Sequence, residues 1–175
     1  TDSYIVDPGW NLLSLPQQMV ANLKVDLYRA ASSRAFRYDH RYSVLDTIPN
    51  GLGYWLKFPN AQNILLSGAA RLADTVFVKT GWNMIGTLSV PIDVASILQD
   101  PPATLSSNFI GYEAGAYQLV SSDSLRPHRG YWVRARNTGA LYLNGAANTP
   151  LVRPLSTPQP PTLSTLTVTD ADHRA

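Results

Sequence analysis

The residues best suited to acid–base or nucleophilic chemistry sit together in one short stretch: Asp39, His40, Ser43 and Asp46. A Ser, a His and an Asp can activate a hydroxyl, with the imidazole taking its proton and the carboxylate orienting the ring. Here they are neighbours in what reads as a hairpin turn, and no Gly-x-Ser-x-Gly elbow accompanies them. Ordinary turn chemistry accounts for them. The other two histidines, His128 and His173, fall in a loop and in the C-terminal segment. None of the three histidines has a second His or a carboxylate at metal-ligand spacing, so no zinc site is expected. Asp170 and Asp172 could help coordinate a cation, but no Asp-rich calcium loop surrounds them. A phosphate-cradling glycine loop is also lacking. The expectation is no catalytic residue, no metal and no cofactor.

The aromatic residues offer a different chemistry. GYWLKF at 53–58 and GYWVRA at 130–135 share their opening and their alternation. Side chains alternate between the faces of a strand. Tyr54, Leu56 and Phe58 therefore share one face, as do Tyr131, Val133 and Ala135, and these should be buried. Trp55 shares the other face with Lys57, and Trp132 with Arg134 and Arg136. In one reading each of these indoles covers a secondary cluster under a helical turn, with the basic stem lying along it. In the other, Trp55 and Trp132, with Tyr38 and Tyr112, are platforms for a sugar ring or a partner side chain. Large aromatics usually bury much of their area, which favours the packed reading. Trp10, aligned with Leu12, and Trp82, aligned with Met84, Gly86 and Leu88, are expected in the core. Asn11 and Asn83 beside them are expected to tie loop backbone by hydrogen bonds.

These pairs belong to a longer internal match. Trp10 and Trp82 lie 72 positions apart, Tyr38 and Tyr112 lie 74, Tyr42 and Tyr117 lie 75, and Trp55 and Trp132 lie 77. The offset only grows, and each step falls in a turn-like stretch. Small loop insertions on a duplicated scaffold produce such a drift. Each unit reads as a strand, a tight turn, a Gly-Trp-Asn strand and a short helical turn near 25–29 or 93–99. A Tyr hairpin, a Pro-containing loop, the Gly-Tyr-Trp strand and a closing strand follow. Asp93 is placed to cap the second helical turn, and Pro101-Pro102 to stop it. The expected fold is all-β with two short helical turns. It holds two pseudo-repeats, 1–70 and 71–149, packed as one barrel-like or sandwich-like unit. Units this small hold little core of their own, so they should share buried surface. Residues 150–175 are expected as a Pro-rich linker, with five prolines from Pro150 to Pro161, leading to the start of a following module.

Composition narrows the function classes. Only 15% of the 175 residues are charged, below the ~25% usual in soluble chains. The net charge is +2, and the arginines near 34–41 and 126–136 are scattered rather than a dense stripe, so nucleic acid is not an expected partner. There is no cysteine, which excludes a disulfide framework. No apolar run reaches the ~18 residues of a membrane span. No signal peptide opens the sequence, which reads as a piece of a longer chain.

The pattern Gly9-Trp10-Asn11, Tyr38, Gly53-Tyr54-Trp55, Gly81-Trp82-Asn83, Tyr112 and Gly130-Tyr131-Trp132 resembles modules in large secreted proteins of the Bacteroidetes–Chlorobi group of bacteria. Such modules sit among fibronectin-like or sorting domains exported by the type IX route. The resemblance runs from about Tyr4 to Gly145, and the tail LTVTDADHRA resembles the opening of the segment that follows them. Its usual glycine after the Pro of the second loop is replaced here by His128. It carries over no catalytic residues. It implies an extracellular or cell-surface location and an accessory role beside neighbouring domains of the same polypeptide. The expectation is a non-catalytic structural, adhesion or spacer module; the alternative is a carbohydrate-binding module using the Trp and Tyr platforms.

Overall fold

The computed structural model describes residues 1–120 and 124–145. The expected Pro-rich linker and following strand at 150–175 lie outside these residues. In the first half, β1 (Asp2–Val6), β2 (Gly9–Ser14), α1 (Lys24–Leu27), β3 (Ala35–Tyr38), β4 (Tyr42–Leu45), β5 (Gly53–Phe58) and β6 (Gln62–Leu66) follow in order. In the second, β7 (Ala73–Val78), β8 (Gly81–Ile85), β9 (Ile92–Asp93), a 3₁₀ turn (Val94–Ser96) and β10 (Leu98–Asp100) come first. Then come β11 (Phe109–Glu113), β12 (Ala116–Val120), β13 (Ser124–Leu125), β14 (Tyr131–Ala135) and β15 (Gly139–Asn144). The chain is all-β, and among the described residues its sheets are open, so the barrel alternative is not realised.

Each half carries one four-stranded sheet, in the order β2-β5-β3-β4 and β8-β14-β11-β12. In each, the first and last strands of the half also pair, β1 with β6 and β7 with β15. The second helical turn is shorter than expected. Asp93 caps it by accepting the Ala95 N–H at 2.9 Å, but it ends at Ser96. The chain then extends into β10 against β15, so Pro101 ends a strand, not a helix. The recurring asparagines behave as their spacing suggests. Asn11 and Asn83 each accept a backbone N–H four residues back, from Asp7 and Lys79, at 3.0 and 2.9 Å. Each also donates to that same residue's carbonyl and to the Gly9 or Gly81 carbonyl.

Each sheet has two apolar faces. The face bearing Tyr54, Leu56 and Phe58 is fully buried against β1 and β6, with Leu13, Tyr28 and Ile48. The equivalent face of the second half, with Tyr131, Val133 and Ala135, closes on Val78, Ile92, Leu125 and Leu141. Full burial of such side chains is worth about 1.5–3 kcal/mol apiece. The opposite faces, with Leu12, Trp55 and Met84, form a third cluster between the halves.

The halves meet backbone to backbone. Ser14 N–H donates to the His128 carbonyl, and Gly86 N–H donates to the Gly51 carbonyl, both at 2.9 Å. Isolated bridges join Leu13 to Arg129 and Leu52 to Ile85. The loop before each Gly-Tyr-Trp strand thus caps the end of the other half's Gly-Trp-Asn strand. Gly53 and Gly130 make this approach sterically possible: a Cβ there would lie 2.8 Å from the Ile85 carbonyl oxygen or 2.6 Å from that of Leu13. Ser14 and Thr87 seal the seam, their buried hydroxyls 2.9 Å apart and both donating to the Arg129 carbonyl. Gly130→Ala should therefore destabilise the whole chain by about 1–3 kcal/mol, as overpacking does. Equilibrium urea unfolding would show a lowered midpoint; an unchanged midpoint would contradict the interlock.

Candidate functional site

The Ser/His/Asp group near His40 is dispersed by its contacts. His40 occupies a turn at φ +58°. Asp39 is held by Lys79, whose Nζ lies 2.9 and 2.8 Å from its two oxygens and keeps the carboxyl below its usual range. Ser43 accepts from Arg37 Nε at 3.1 Å, and Asp46 pairs with Arg34 at 2.9 Å. Nothing is left to assemble a triad. Among the described residues no group of three His, Cys, Asp or Glu could hold a metal ion, and no helix is long and apolar enough to cross a membrane.

The aromatic residues, by contrast, converge. Tyr38 packs edge-on to Trp132 with ring centres 5.1 Å apart, and Tyr112 packs edge-on to Trp55 at 4.9 Å. Both contacts cross between the halves, because β3 lies against β8 and β11 against β2. All four sequence-expected platform residues therefore meet in one cluster. Its centre is dry, with Trp55 only 9% exposed. Trp55 and Trp132 pack against the opposite half, not under the helical turns.

Trp10 and Trp82 depart from expectation. The sequence pattern puts each in the core, whereas each is 42% exposed. The strand alternation itself holds, since Leu12 and Met84 on the same faces are buried. These faces are covered only where the halves touch, and the indoles lie beyond that contact. Each indole forms one wall of a groove. One groove, of about 630 Å³, is lined by Trp10, Phe36, Tyr42 and Trp55 of the first half and by Tyr112 and Tyr117 of the second. The other, of about 470 Å³, is lined by Trp82, Ile110, Tyr117 and Trp132 of the second half and by Tyr38 of the first. By strand order Trp10 matches Trp82, Trp55 matches Trp132, Phe36 matches Ile110 and Tyr112 matches Tyr38. Each groove is completed by a tyrosine from the other half, and Tyr117 lines both. Desolvation, reinforced by Tyr42 and Tyr112, raises the Tyr117 pKa, so its hydroxyl stays a neutral donor at neutral pH.

The groups with displaced proton affinity that lie deepest are elsewhere, at the seam. His128 holds φ +64°, the position filled by Gly51 at φ +74° in the first loop. A non-glycine residue there costs about 1 kcal/mol or more. The buried ring lies flat on Tyr4, with centroids 4.0 Å apart, and places Nε2 2.7 Å from Asp2 Oδ2. Because the carboxylate can only accept, Nε2 carries the proton and Nδ1, buried without a partner, is the bare nitrogen. Burial lowers the His128 pKa, against the pull of Asp2, so the ring is neutral at neutral pH. The hydrogen bond to His128 lowers Asp2. Tyr4 in turn donates to Tyr28 at 3.0 Å, and the Tyr28 and Tyr54 hydroxyls lie 2.6 Å apart. Desolvation raises all three phenols. This is a structural clasp between first and second halves, remote in sequence and invisible to motif reading.

Comparison with protein-family models, with curated proteins and with solved structures gave no match.

The clasp makes stability depend on pH in two stages. A histidine whose pKa is lower folded than unfolded leaves stability untouched well above its ordinary 6.5; below that, the unfolded chain takes up the proton first and stability falls. Asp2, lowered in the fold, adds a second loss as pH falls below 3.8. His128→Asn, which tolerates positive φ, should remove the first stage and leave the acid stage of the other carboxylates. Urea titrations at pH 8, 6 and 5 check this; an unaltered loss between pH 8 and 5 in the variant would assign the effect to another group.

Proposed function

We propose that this chain is a non-catalytic adhesion module of a larger secreted or cell-surface bacterial protein, and that it binds carbohydrate through the two aromatic grooves. The observation that carries this reading is the pair of equivalent, solvent-open grooves, each walled by a half-exposed indole. Exposed large aromatics grouped on one face are costly unless something covers them. Flat, rigid rings suit the apolar face of a sugar and lose little conformational freedom on binding. Tyr and Trp also carry donors that can reach hydroxyls at the groove edge. The displaced proton affinities of Asp2 and His128 belong to the clasp and not to the grooves, which supports a binding role over hydrolysis.

The matching strand orders and the paired Asn, Trp and Tyr contacts support descent of the two halves, 1–70 and 71–149, from one duplicated segment. The motif resemblance supports placement outside the cell beside neighbouring domains of the same polypeptide. The backbone seam adds rigidity, which suits a module that spaces or displays those neighbours.

Native affinity electrophoresis against a panel of soluble polysaccharides tests the reading. At least one should retard the chain, and Trp10→Ala with Trp82→Ala should abolish the retardation while the melting temperature changes little, because both indoles lie on the surface. Retardation by none of the panel, or retardation indifferent to both substitutions, would remove the grooves from the function. Acrylamide should quench a fraction of the fluorescence through Trp10 and Trp82 and leave Trp55 protected.

A further inference from the structure

The two exposed indoles have a common neighbour type. In the register of β2 with β5, Trp10 stands opposite Lys57. In the register of β8 with β14, Trp82 stands opposite Arg134. Directly opposed residues point to the same face with Cβ atoms about 4.5–5.5 Å apart. Each groove therefore ends in an indole with a cation beside it. Both cations are exposed, and neither makes an ion pair or side-chain hydrogen bond among those described.

Of the carboxylates close in sequence to the lining residues, Asp7 lies in the turn before β2 and lines neither groove, and the other three are paired. Asp39 is taken by Lys79, Asp46 by Arg34, and Glu113 by Arg126 and Arg129. Among the described residues, no acidic side chain lines either groove. A ring-bearing ligand laid along Trp10 or Trp82 thus lies next to the strand position of an exposed cation, Lys57 or Arg134.

We infer that the occupant of the grooves is an acidic polysaccharide, one whose rings carry carboxylates such as a uronate polymer. This rests on the carbohydrate reading above and adds the charge of the ligand. The sugar's apolar face stacks on Trp10 or Trp82, and its carboxylate sits against Lys57 or Arg134. Arg134 can meet a carboxylate with two parallel N–H donors, and Lys57 meets it as a point charge. Tyr117, shared by both grooves, makes them adjacent stations on one surface. A repeating polymer can occupy both at once, and the second contact then forms at high effective concentration. Two free cations are too few for the phosphate contacts of a nucleic-acid strand, whose affinity rests on many neutralised charges.

Isothermal titration of the full chain with sodium polygalacturonate, with a neutral glucan of similar length and with a single-stranded oligonucleotide tests the inference. Polygalacturonate should bind about tenfold or more tighter than the glucan at low salt, and the gap should close as salt is raised. Lys57→Gln with Arg134→Gln should weaken the acidic polymer about five- to tenfold and leave any neutral binding unchanged. Trp82→Ala should weaken both. Equal affinities for the acidic and neutral polymers, with no effect of the charge variant or of salt, would overturn the acidic inference while leaving the carbohydrate reading intact. Tighter binding of the oligonucleotide, or no carbohydrate binding at all, would overturn both. Should the double variant fail to fold, the salt dependence of the unaltered chain decides alone.

Discussion

Backbone hydrogen bonds at the seam lock the two halves together. The His128 carbonyl receives Ser14 N–H, and the Gly51 carbonyl receives Gly86 N–H, each at the end of the opposite half's Gly-Trp-Asn strand. These are buried backbone groups that would cost free energy if left unpaired. They can pair only because Gly53 and Gly130 lack side chains where the chains cross. The residues that follow those glycines are the Tyr and Trp of the strand that builds both the core and the groove. The close approach therefore fixes core, seam and cleft together. A shift of the loops would move Tyr38 off Trp132 and Tyr112 off Trp55 at once.

The seam also explains why the sheets have two apolar faces. One face of each sheet needs its own core, closed by the strand pair β1–β6 or β7–β15. The other meets the opposite half through Leu12, Trp55 and Met84, with Tyr38, Tyr112 and Trp132 packed around them. At the start of β2 and β8 the same face is only partly covered. Trp10 and Trp82 stand there. The grooves lie where the two apolar faces meet only in part, each lined by residues of both halves.

This geometry sets what could be read in advance. The faces of β5 and β14 were legible because Tyr54, Leu56 and Phe58 alternate cleanly with Trp55 and Lys57. The roles of Asn11 and Asn83 were legible because the hydrogen bonds are local. The exposure of Trp10 and Trp82 was not. Period two assigns an indole to a face, but it cannot say which of two apolar faces meets more protein, or how far along the strand the cover extends. Strands of two or three residues, such as β9, β10 and β13, carry too little pattern to recognise. The His128 clasp to Asp2 spans 126 positions and depends on a histidine in a glycine's conformation. No local rule connects those residues.

The two halves differ in parts of their cores and keep the parts of their grooves in common. The first core strings the hydroxyls of Tyr4, Tyr28 and Tyr54 together; at the strand position of Tyr4 the second half has Val76, and its Tyr131 accepts from the Arg126 backbone instead. One loop places His128 against Asp2, whereas the other offers Gly51 beside an Asp74 already paired with Arg71. Yet both grooves keep the same parts: an outer indole, an inner indole, a tyrosine from across the seam and a cation beside the outer ring. Interiors resist changes of volume and surfaces tolerate them, so packing does not by itself require a half-exposed indole in both halves. A half-exposed indole gains little stability from its position, and its apolar area is a liability toward association. Other shared parts, Gly53 and Gly130 at the seam and Tyr54 and Tyr131 in the cores, are needed for folding. On the carbohydrate reading proposed above, the outer indoles Trp10 and Trp82 are the shared parts that folding does not require.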